Sequence, residues 1–154
     1  MYRGGAEKKI RQYLIDNNFI DCVIQLPSNL FYGTSIATCI MVLKRNKTDN
    51  RTLFIDASAE CEKVTNNNKL REHHIKKIVD AFVSRADTDH FARCVPYEEI
   101  SKNEYNLSVS TYVQPEDTRE VIDITKLNAE IAQIVAKEQV LRDEIAKIIA
   151  EIEG

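Results

Sequence analysis

The chain has 154 residues, 44% of them hydrophobic and 29% charged, and its formal net charge is −3. These values are typical of one globular domain long enough to bury a core, and they exclude an intrinsically disordered chain. The negative charge argues against strong DNA binding by this chain alone, and no apolar stretch approaches the roughly 20 residues that a membrane-spanning helix needs.

An amphipathic helix is the first predicted element. Residues 6–17 place Ile10, Tyr13 and Leu14 on one helical face. The apolar face of such a helix usually turns toward the core. The polar pair Asn17-Asn18 is typical of a helix end.

Three strands are predicted next. Residues 20–26 are so uniformly apolar that we expect a central strand covered on both faces. Residues 37–45 predict a second buried strand and residues 52–56 a third. Their short connections require at least one antiparallel pair.

The cysteines indicate a reduced, cytoplasmic protein. Cys22 and Cys39 lie inside these apolar runs, where free cysteine acts as a small hydrophobe. We therefore expect neither a disulfide framework nor a metal site.

The second half of the chain predicts shorter elements. Residues 60–69 are polar and predict a loop, whereas residues 70–86 repeat apolar side chains at helical spacing. Residues 91–95 predict a short strand, and residues 97–101 a turn of helix after a proline. Residues 107–113 alternate in polarity, which favours an edge strand. The apolar positions of the longer helix are Ile75, Ile78, Val79 and Phe82.

A single long helix is predicted for residues 123–153, about 45 Å at 1.5 Å per residue. Its apolar residues recur at alternating spacings of three and four, a heptad pattern that one acidic residue, Glu138, interrupts. The stripe comprises Leu127, Ile131, Ile134, Leu141, Ile145, Ile148 and Ile152. A stripe of this length needs a cover, which would be a partner protein, a second copy of the chain or the domain itself.

Large apolar side chains also occupy the loop between the first two predicted strands. The loop begins at Pro27 and carries Leu30, Phe31 and Tyr32 just before Gly33. Loops that follow buried strands of α/β proteins commonly hold substrate contacts. Side chains of this kind need either a core to bury in or a ligand to cover.

Residues 20–45 as a whole resemble the adenine-N6 DNA methyltransferase (modification) subunit of type I restriction-modification systems. Residues 2–7 upstream, and residues 53–58 and 105–109 downstream, also fit that family. The resemblance covers residues 1–113 and implies an α/β fold. Its core would be the late strands of a Rossmann-like methyltransferase sheet, partly antiparallel, with flanking helices and a long C-terminal helix.

Two family motifs are missing from the sequence. The catalytic Asn-Pro-Pro-Phe or Asn-Pro-Pro-Tyr and the cofactor-binding Phe-x-Gly-x-Gly do not occur, and in the family both precede the segment that this chain resembles. We therefore expect a C-terminal part of the subunit, inactive alone, with Met1 an artificial start. Residues 1–114 would belong to the catalytic domain, residues 115–122 to a linker and residues 123–153 to a subunit-association helix.

The resemblance also implies roles for the loop residues. Phe31 occupies the position where the family stacks an aromatic ring on the extruded adenine, with Tyr32 as a second candidate. The other interpretation is that both rings anchor the loop in the core. Gly33 would supply a backbone conformation that other residues resist. No catalytic residue and no metal ligand is predicted in this chain.

The implied cofactor is S-adenosylmethionine, bound by the full-length subunit and not by this fragment. The implied partners are the specificity and restriction subunits of the same system, with DNA bound through the whole complex and no membrane contact. The alternative is a non-enzymatic α/β interaction module that oligomerises through its C-terminal helix.

Overall fold

A computed structural model describes residues 2–65, 67–115 and 124–153, and the chain divides into two compact units, residues 1–116 and 117–154. The first unit packs helices around a sheet. In chain order the described elements are α1 (Ala6–Asp16), β1 (Ile20–Gln25), β2 (Cys39–Leu43), β3 (Arg51–Asp56), β4 (Glu62–Val64), β5 (Asn67–Lys69), α2 (Glu72–Ser84), β6 (Ala92–Pro96), α3 (Tyr97–Lys102), a 3₁₀ turn (Val109–Thr111) and α4 (Ile124–Glu153).

The main sheet has four strands in the order β2-β1-β3-β6. β1 and β3 are parallel neighbours, whereas β2 pairs antiparallel with β1, and β6 pairs antiparallel with β3. This arrangement confirms the predicted α/β fold with a partly antiparallel sheet. β1 is buried along Ile20–Ile24, as its uniformly apolar sequence predicts for a central strand.

Each face of the sheet carries its own hydrophobic core. Side chains alternate between the faces with the period of two that strands impose, so Val23 enters one core and its neighbours Cys22 and Ile24 the other. The first core holds Ile15, Ile20, Val23, Phe54, Val95, Ile100, Leu107, Val109, Tyr112 and Val113. The second holds Cys22, Ile24, Leu26, Leu53, Ile55, Ala57, Ile78, Ala81, Phe91 and Ala92.

A buried ion pair joins the beginning of β1 to the end of α2. Arg85 adopts a left-handed conformation (φ 52°) as the residue that caps α2. Its Nη1 donates to Oδ1 of the buried Asp21 at 2.9 Å, and its Nη2 donates to the Asp21 carbonyl at 3.4 Å. The pair holds the helix against the sheet.

Two helices bury only part of the face that the sequence predicts, with Leu14 of α1 packed half buried against the first core. In α1 the buried residues are Arg11 and Ile15, whereas Ile10 and Tyr13 are exposed. Arg11 is buried because its guanidinium finds two carbonyls: Nε donates to Tyr105 at 2.9 Å and Nη2 to Arg3 at 2.6 Å. In α2 two predicted positions do face the core, since Ile78 is buried and Phe82 packs half buried against it, whereas Ile75 and Val79 are half exposed.

The prediction that β2 is buried is wrong. β2 is an edge strand of the described sheet, with Cys39, Ile40 and Leu43 exposed. Its sequence is as apolar as that of β1, so position in the sheet rather than composition sets its burial. The free side of the strand has no strand paired to it among the described residues.

Two further segments differ from their predicted conformation. The predicted loop over residues 60–69 contains a short antiparallel hairpin of β4 and β5. The predicted strand over residues 107–113 is a compact turn around Val109–Thr111, in which Ser108 N–H donates to Asn106 Oδ1 at 2.9 Å. Its apolar residues are buried because the turn directs them into the first core.

Burial of the Cys22 thiol predicts a loss of stability in alkaline solution. Desolvation, reinforced by the neighbouring Asp21 charge, raises the pKa of Cys22 from 9.0 to about 12. Unfolding above pH 9 therefore releases a proton that the folded chain retains. We expect the free energy of unfolding to fall by about 1.4 kcal/mol per pH unit through this group between pH 9 and pH 12.

Urea denaturation at several alkaline pH values, with the wild type beside a Cys22→Ala variant, isolates the contribution of this thiol. The variant should lose stability less steeply because it lacks the titrating group. A Cys39→Ala variant removes an exposed cysteine and should retain the wild-type slope. Equal slopes for the wild type and Cys22→Ala would contradict the prediction.

Candidate functional site

The candidate site lies where two parallel strands end side by side. Gln25 at the end of β1 pairs with Asp56 at the end of β3. Ala57 N–H then donates to the Gln25 carbonyl at 2.9 Å and joins the two strand ends. Carboxyl ends of neighbouring parallel strands are where α/β sheets present ligand-binding loops. The loop of residues 27–38 follows β1 at this edge, and the β4–β5 hairpin follows β3.

The base of the loop is closed by hydrogen bonds between its two ends. Leu26 N–H donates to the Thr38 carbonyl at 2.9 Å, and Gln25 Nε2 donates to the same oxygen at 3.3 Å. Pro27 is fully buried at the point where the chain leaves the strand. The loop therefore projects from a closed base.

The apolar residues of the loop divide into one anchor and two projecting rings. Leu30 is half buried and packs against the core on the α2 face of the sheet. Phe31 is 52% exposed and Tyr32 94% exposed. Gly33 has φ 79°, and a Cβ built there would meet no atom within 4 Å, so backbone conformation rather than crowding favours glycine. The side chain that buries is thus Leu30, which leaves both rings accessible.

The β4–β5 hairpin, in a segment that the sequence predicts as a loop, holds the turn before Phe31. Asn68 of β5 donates its backbone N–H to the Asn29 carbonyl at 2.8 Å, and its Nδ2 donates to the Ser28 carbonyl at 2.8 Å. Asn29 is left-handed, with φ 51°. Loop and hairpin enclose a groove of about 620 Å³. Its lining residues are Leu30, Tyr32, Val64, Thr65, Asn67, Asn68, Lys69 and Leu70.

A second cleft, of about 400 Å³, lies elsewhere, between residues 87–93 and 111–114. Several of its polar groups are already engaged within the chain. Asp87 accepts from Cys94 N–H at 2.7 Å, and Arg93 forms a two-bond pair with Glu99. Within the described part of the chain, no three histidine, cysteine or acidic side chains lie close enough to hold a metal ion.

The second unit presents the predicted apolar stripe on α4. The described members of the stripe are exposed along the helix: Ile131, Ile134, Leu141, Ile145 and Ile148. The side chains of Leu127 and Ile152 lie outside the described residues. Arg142 pairs with Glu138 one turn earlier at 2.6 Å, a surface ion pair of the kind that supports a helix. None of the described helices is long and apolar enough to cross a membrane.

Comparison with known proteins identifies similar sequences over nearly the whole chain. The model of the N-6 DNA Methylase family matches residues 1–121. The type I restriction enzyme MpnII methylase subunit of Mycoplasma pneumoniae is 46% identical over 99% of the chain. The MjaVII methylase subunit of Methanocaldococcus jannaschii is 42% identical over all of it. The chain spans 28% and 27% of the lengths of these curated relatives.

Solved structures are also similar to this chain. A type I restriction-modification methyltransferase subunit from Streptococcus thermophilus superposes with a TM-score of 0.73 and 46% identity, covering 74% of this chain and 24% of that one. A chain from a study of type I R-M complex assembly and conformational transition covers 99% of this chain and 34% of its own length. Its TM-score is 0.56 at 18% identity, so this second likeness concerns the fold alone.

Proposed function

The chain belongs to the N-6 DNA Methylase family, and we propose that it is the C-terminal part of the modification subunit of a type I restriction-modification system. The whole subunit would transfer a methyl group from S-adenosylmethionine to the N6 amino group of an adenine in DNA. Within it, this chain supplies one wall of the target-base pocket. The observation that carries the proposal is an exposed Phe31 on a loop that is anchored at the carboxyl edge of the sheet.

Methylation of a base inside duplex DNA requires that the base leave the helix stack. An extruded adenine loses its stacking neighbours, and an aromatic side chain replaces them at about 1–3 kcal/mol per base. Phe31 suits this role because its ring is half exposed while the adjacent Leu30 is held in the core. Tyr32 is the second candidate because it is almost fully exposed and lines the groove beside the hairpin.

The outer edge of β2, to which no described strand is paired, supports the proposal that this chain is one part of a larger domain. Unpaired strand edges with apolar side chains promote aggregation unless another element covers them. β2 exposes Ile40 and Leu43 along such an edge. We assign its cover to the part of the subunit outside this chain, since the relatives are more than three times as long.

The described strand-to-helix connections lack the glycine-rich turn that a nucleoside cofactor commonly uses. Cofactors that contain a nucleoside commonly bind at a glycine-rich turn between a strand and a helix. Among the described elements, β1 and β3 are each followed by another strand, and β6 reaches α3 directly from Pro96. The turn between β5 and α2 consists of Leu70 and Arg71 and contains no glycine. Our proposal therefore places the cofactor and the chemical step in the rest of the subunit.

The exposed stripe of α4 is proposed to bind the specificity subunit, so that DNA is held by the complex rather than by this chain. The net charge of −3 fits a segment that reaches DNA through a partner. The restriction subunit would join the same complex. The alternative, self-association through α4, rests on the same exposed residues, and light scattering of the chain alone distinguishes it from the proposal.

Replacement of Phe31 by alanine tests the base-stacking role. A chimera in which residues 1–115 of this chain replace the equivalent segment of the Streptococcus thermophilus subunit retains the host's own C-terminal contacts. With the host specificity subunit, we expect Phe31→Ala to lower kcat/KM for methyl transfer to DNA by about 5- to 150-fold, the equivalent of 1–3 kcal/mol of lost stacking.

Transfer of a labelled methyl group to DNA containing the host recognition site measures this effect. Phe31→Tyr keeps the ring and should retain most activity, and Tyr32→Ala reports whether the neighbouring ring contributes. The melting temperature should change little in all three variants because both rings are accessible to solvent. An unchanged kcat/KM in Phe31→Ala would refute the proposed role.

A further inference from the structure

The β4–β5 hairpin is too small to be stable by itself. It consists of three residue pairs and carries mostly polar side chains. Two-stranded ribbons of this size are marginal in water, so contacts with the rest of the fold must hold it. At its base Glu62 pairs with Arg71, the residue that precedes α2, and Glu60 just before the hairpin pairs with Lys77 of α2.

On its other side the hairpin is fastened to the loop that carries Phe31. Both hydrogen bonds come from one residue, Asn68, and both end on consecutive carbonyls, those of Ser28 and Asn29. These carbonyls belong to the left-handed turn two residues before Phe31. Leu30 after the turn and Leu70 after the hairpin pack against the same core, and this packing supports the contact between loop and hairpin.

We propose that Asn68 is a positioning residue for the target base, acting through the turn at Ser28 and Asn29 on the direction in which Phe31 leaves the sheet. The inference rests on the proposed stacking role of Phe31. Stacking depends on the position and tilt of the ring, and small displacements of a positioning group can reduce rates by orders of magnitude. An asparagine suits this task because its side-chain amide donates to the Ser28 carbonyl while its backbone N–H donates to the Asn29 carbonyl.

The test uses the chimeric subunit described above with its specificity subunit. Asn68→Ala should lower kcat about 10-fold, the equivalent of 1.4 kcal/mol, and should change the KM for DNA less than 2-fold, because the rest of the complex holds the DNA. Asn68→Asp keeps the size but loses the side-chain donor, and should lose activity at least as much. Lys63→Ala is the matched control, because Lys63 lies opposite Asn68 in the same hairpin but is exposed and does not line the groove.

A double-mutant cycle distinguishes positioning from general damage. If Asn68 acts through Phe31, Asn68→Ala should cost little further activity in a Phe31→Ala background. Full additivity of the two losses, or an equal loss in Lys63→Ala, would overturn the inference. So would full activity of both Asn68 variants while Phe31→Ala is impaired. An unimpaired Phe31→Ala would instead refute the stacking role itself.

Discussion

Three aspartates in the stripe of α4 are expected to abolish binding of the chain to the specificity subunit. The substitutions Ile134→Asp, Leu141→Asp and Ile145→Asp place three charges on exposed positions of one apolar seam. Burial of unpaired carboxylates at an interface costs several kcal/mol each, which exceeds the affinity of most such contacts. Pull-down or analytical ultracentrifugation with the specificity subunit of the same system measures the loss.

A matched variant controls for charge alone. Gln133→Asp, Ala136→Asp and Ala146→Asp add the same charge at exposed positions away from the seam, and should bind as the wild type does. Circular dichroism should show an intact first unit in both variants, because the substitutions lie outside residues 1–116. Retained binding by the seam variant would refute this docking surface.

Light scattering of the chain alone decides between partner docking and self-association. A dimer or tetramer that is independent of concentration and is lost on truncation at Pro115 would favour the non-enzymatic oligomerising module. A monomer, or weak association that varies with concentration, is expected if the natural cover is another subunit. The same seam variant should then remain monomeric and become less prone to aggregation, since its apolar stripe is broken.

Removal of the Asp21 carboxylate is expected to produce the largest loss of stability from a single polar substitution. Asp21→Ala leaves Arg85 beside buried backbone without its partner at 2.9 Å. Breaking one side of a buried pair costs about 3–5 kcal/mol. We expect about 3 kcal/mol here, because the Arg85 side chain retains 28% exposure and can recover some hydration.

Chemical denaturation of the 154-residue chain measures this difference. Asp49→Ala is the matched control, since Asp49 pairs with Arg51 at 3.5 Å on the surface, and such pairs contribute about 0–1 kcal/mol. Asp21→Ala combined with Arg85→Met should recover part of the loss, because the half-buried guanidinium is then removed together with its carboxylate partner. A loss in Asp21→Ala no larger than in Asp49→Ala would contradict the structural role of the pair.

Comparison of β1 and β2 shows that the composition of a strand does not by itself predict its burial. The apolar sequence of β1 predicts a central strand, and β1 lies between β2 and β3. β2 is equally apolar and is nevertheless an edge strand. The sequence of a strand indicates how much apolar surface it carries. Whether that surface is buried depends on the neighbouring strands, which come from other parts of the chain. We propose that the element covering the outer edge of β2 belongs to a part of the subunit outside these 154 residues.

Helix α1 shows the same limit for a charged residue. Periodicity favours Ile10 and Tyr13 as inward residues, but Arg11 and Ile15 are buried. Arg11 can be buried because the Tyr105 carbonyl, 94 residues away, accepts its Nε hydrogen bond. Hydropathy alone predicts that every arginine is exposed. Only the tertiary structure brings the Tyr105 carbonyl to Arg11 as a hydrogen-bond acceptor.

The sequence by itself determined the fold class, the central position of β1, the heptad stripe of α4 and the family resemblance in the loop after β1. These features depend on residues close together along the chain, where strand and helix periods relate sequence directly to burial. Only the tertiary structure decided that Leu30 anchors the loop while Phe31 and Tyr32 project, and that Asn68 holds the turn from 40 residues away. Such contacts form because separate strands end at the same edge of the sheet. A local sequence pattern does not predict which distant segments lie together there.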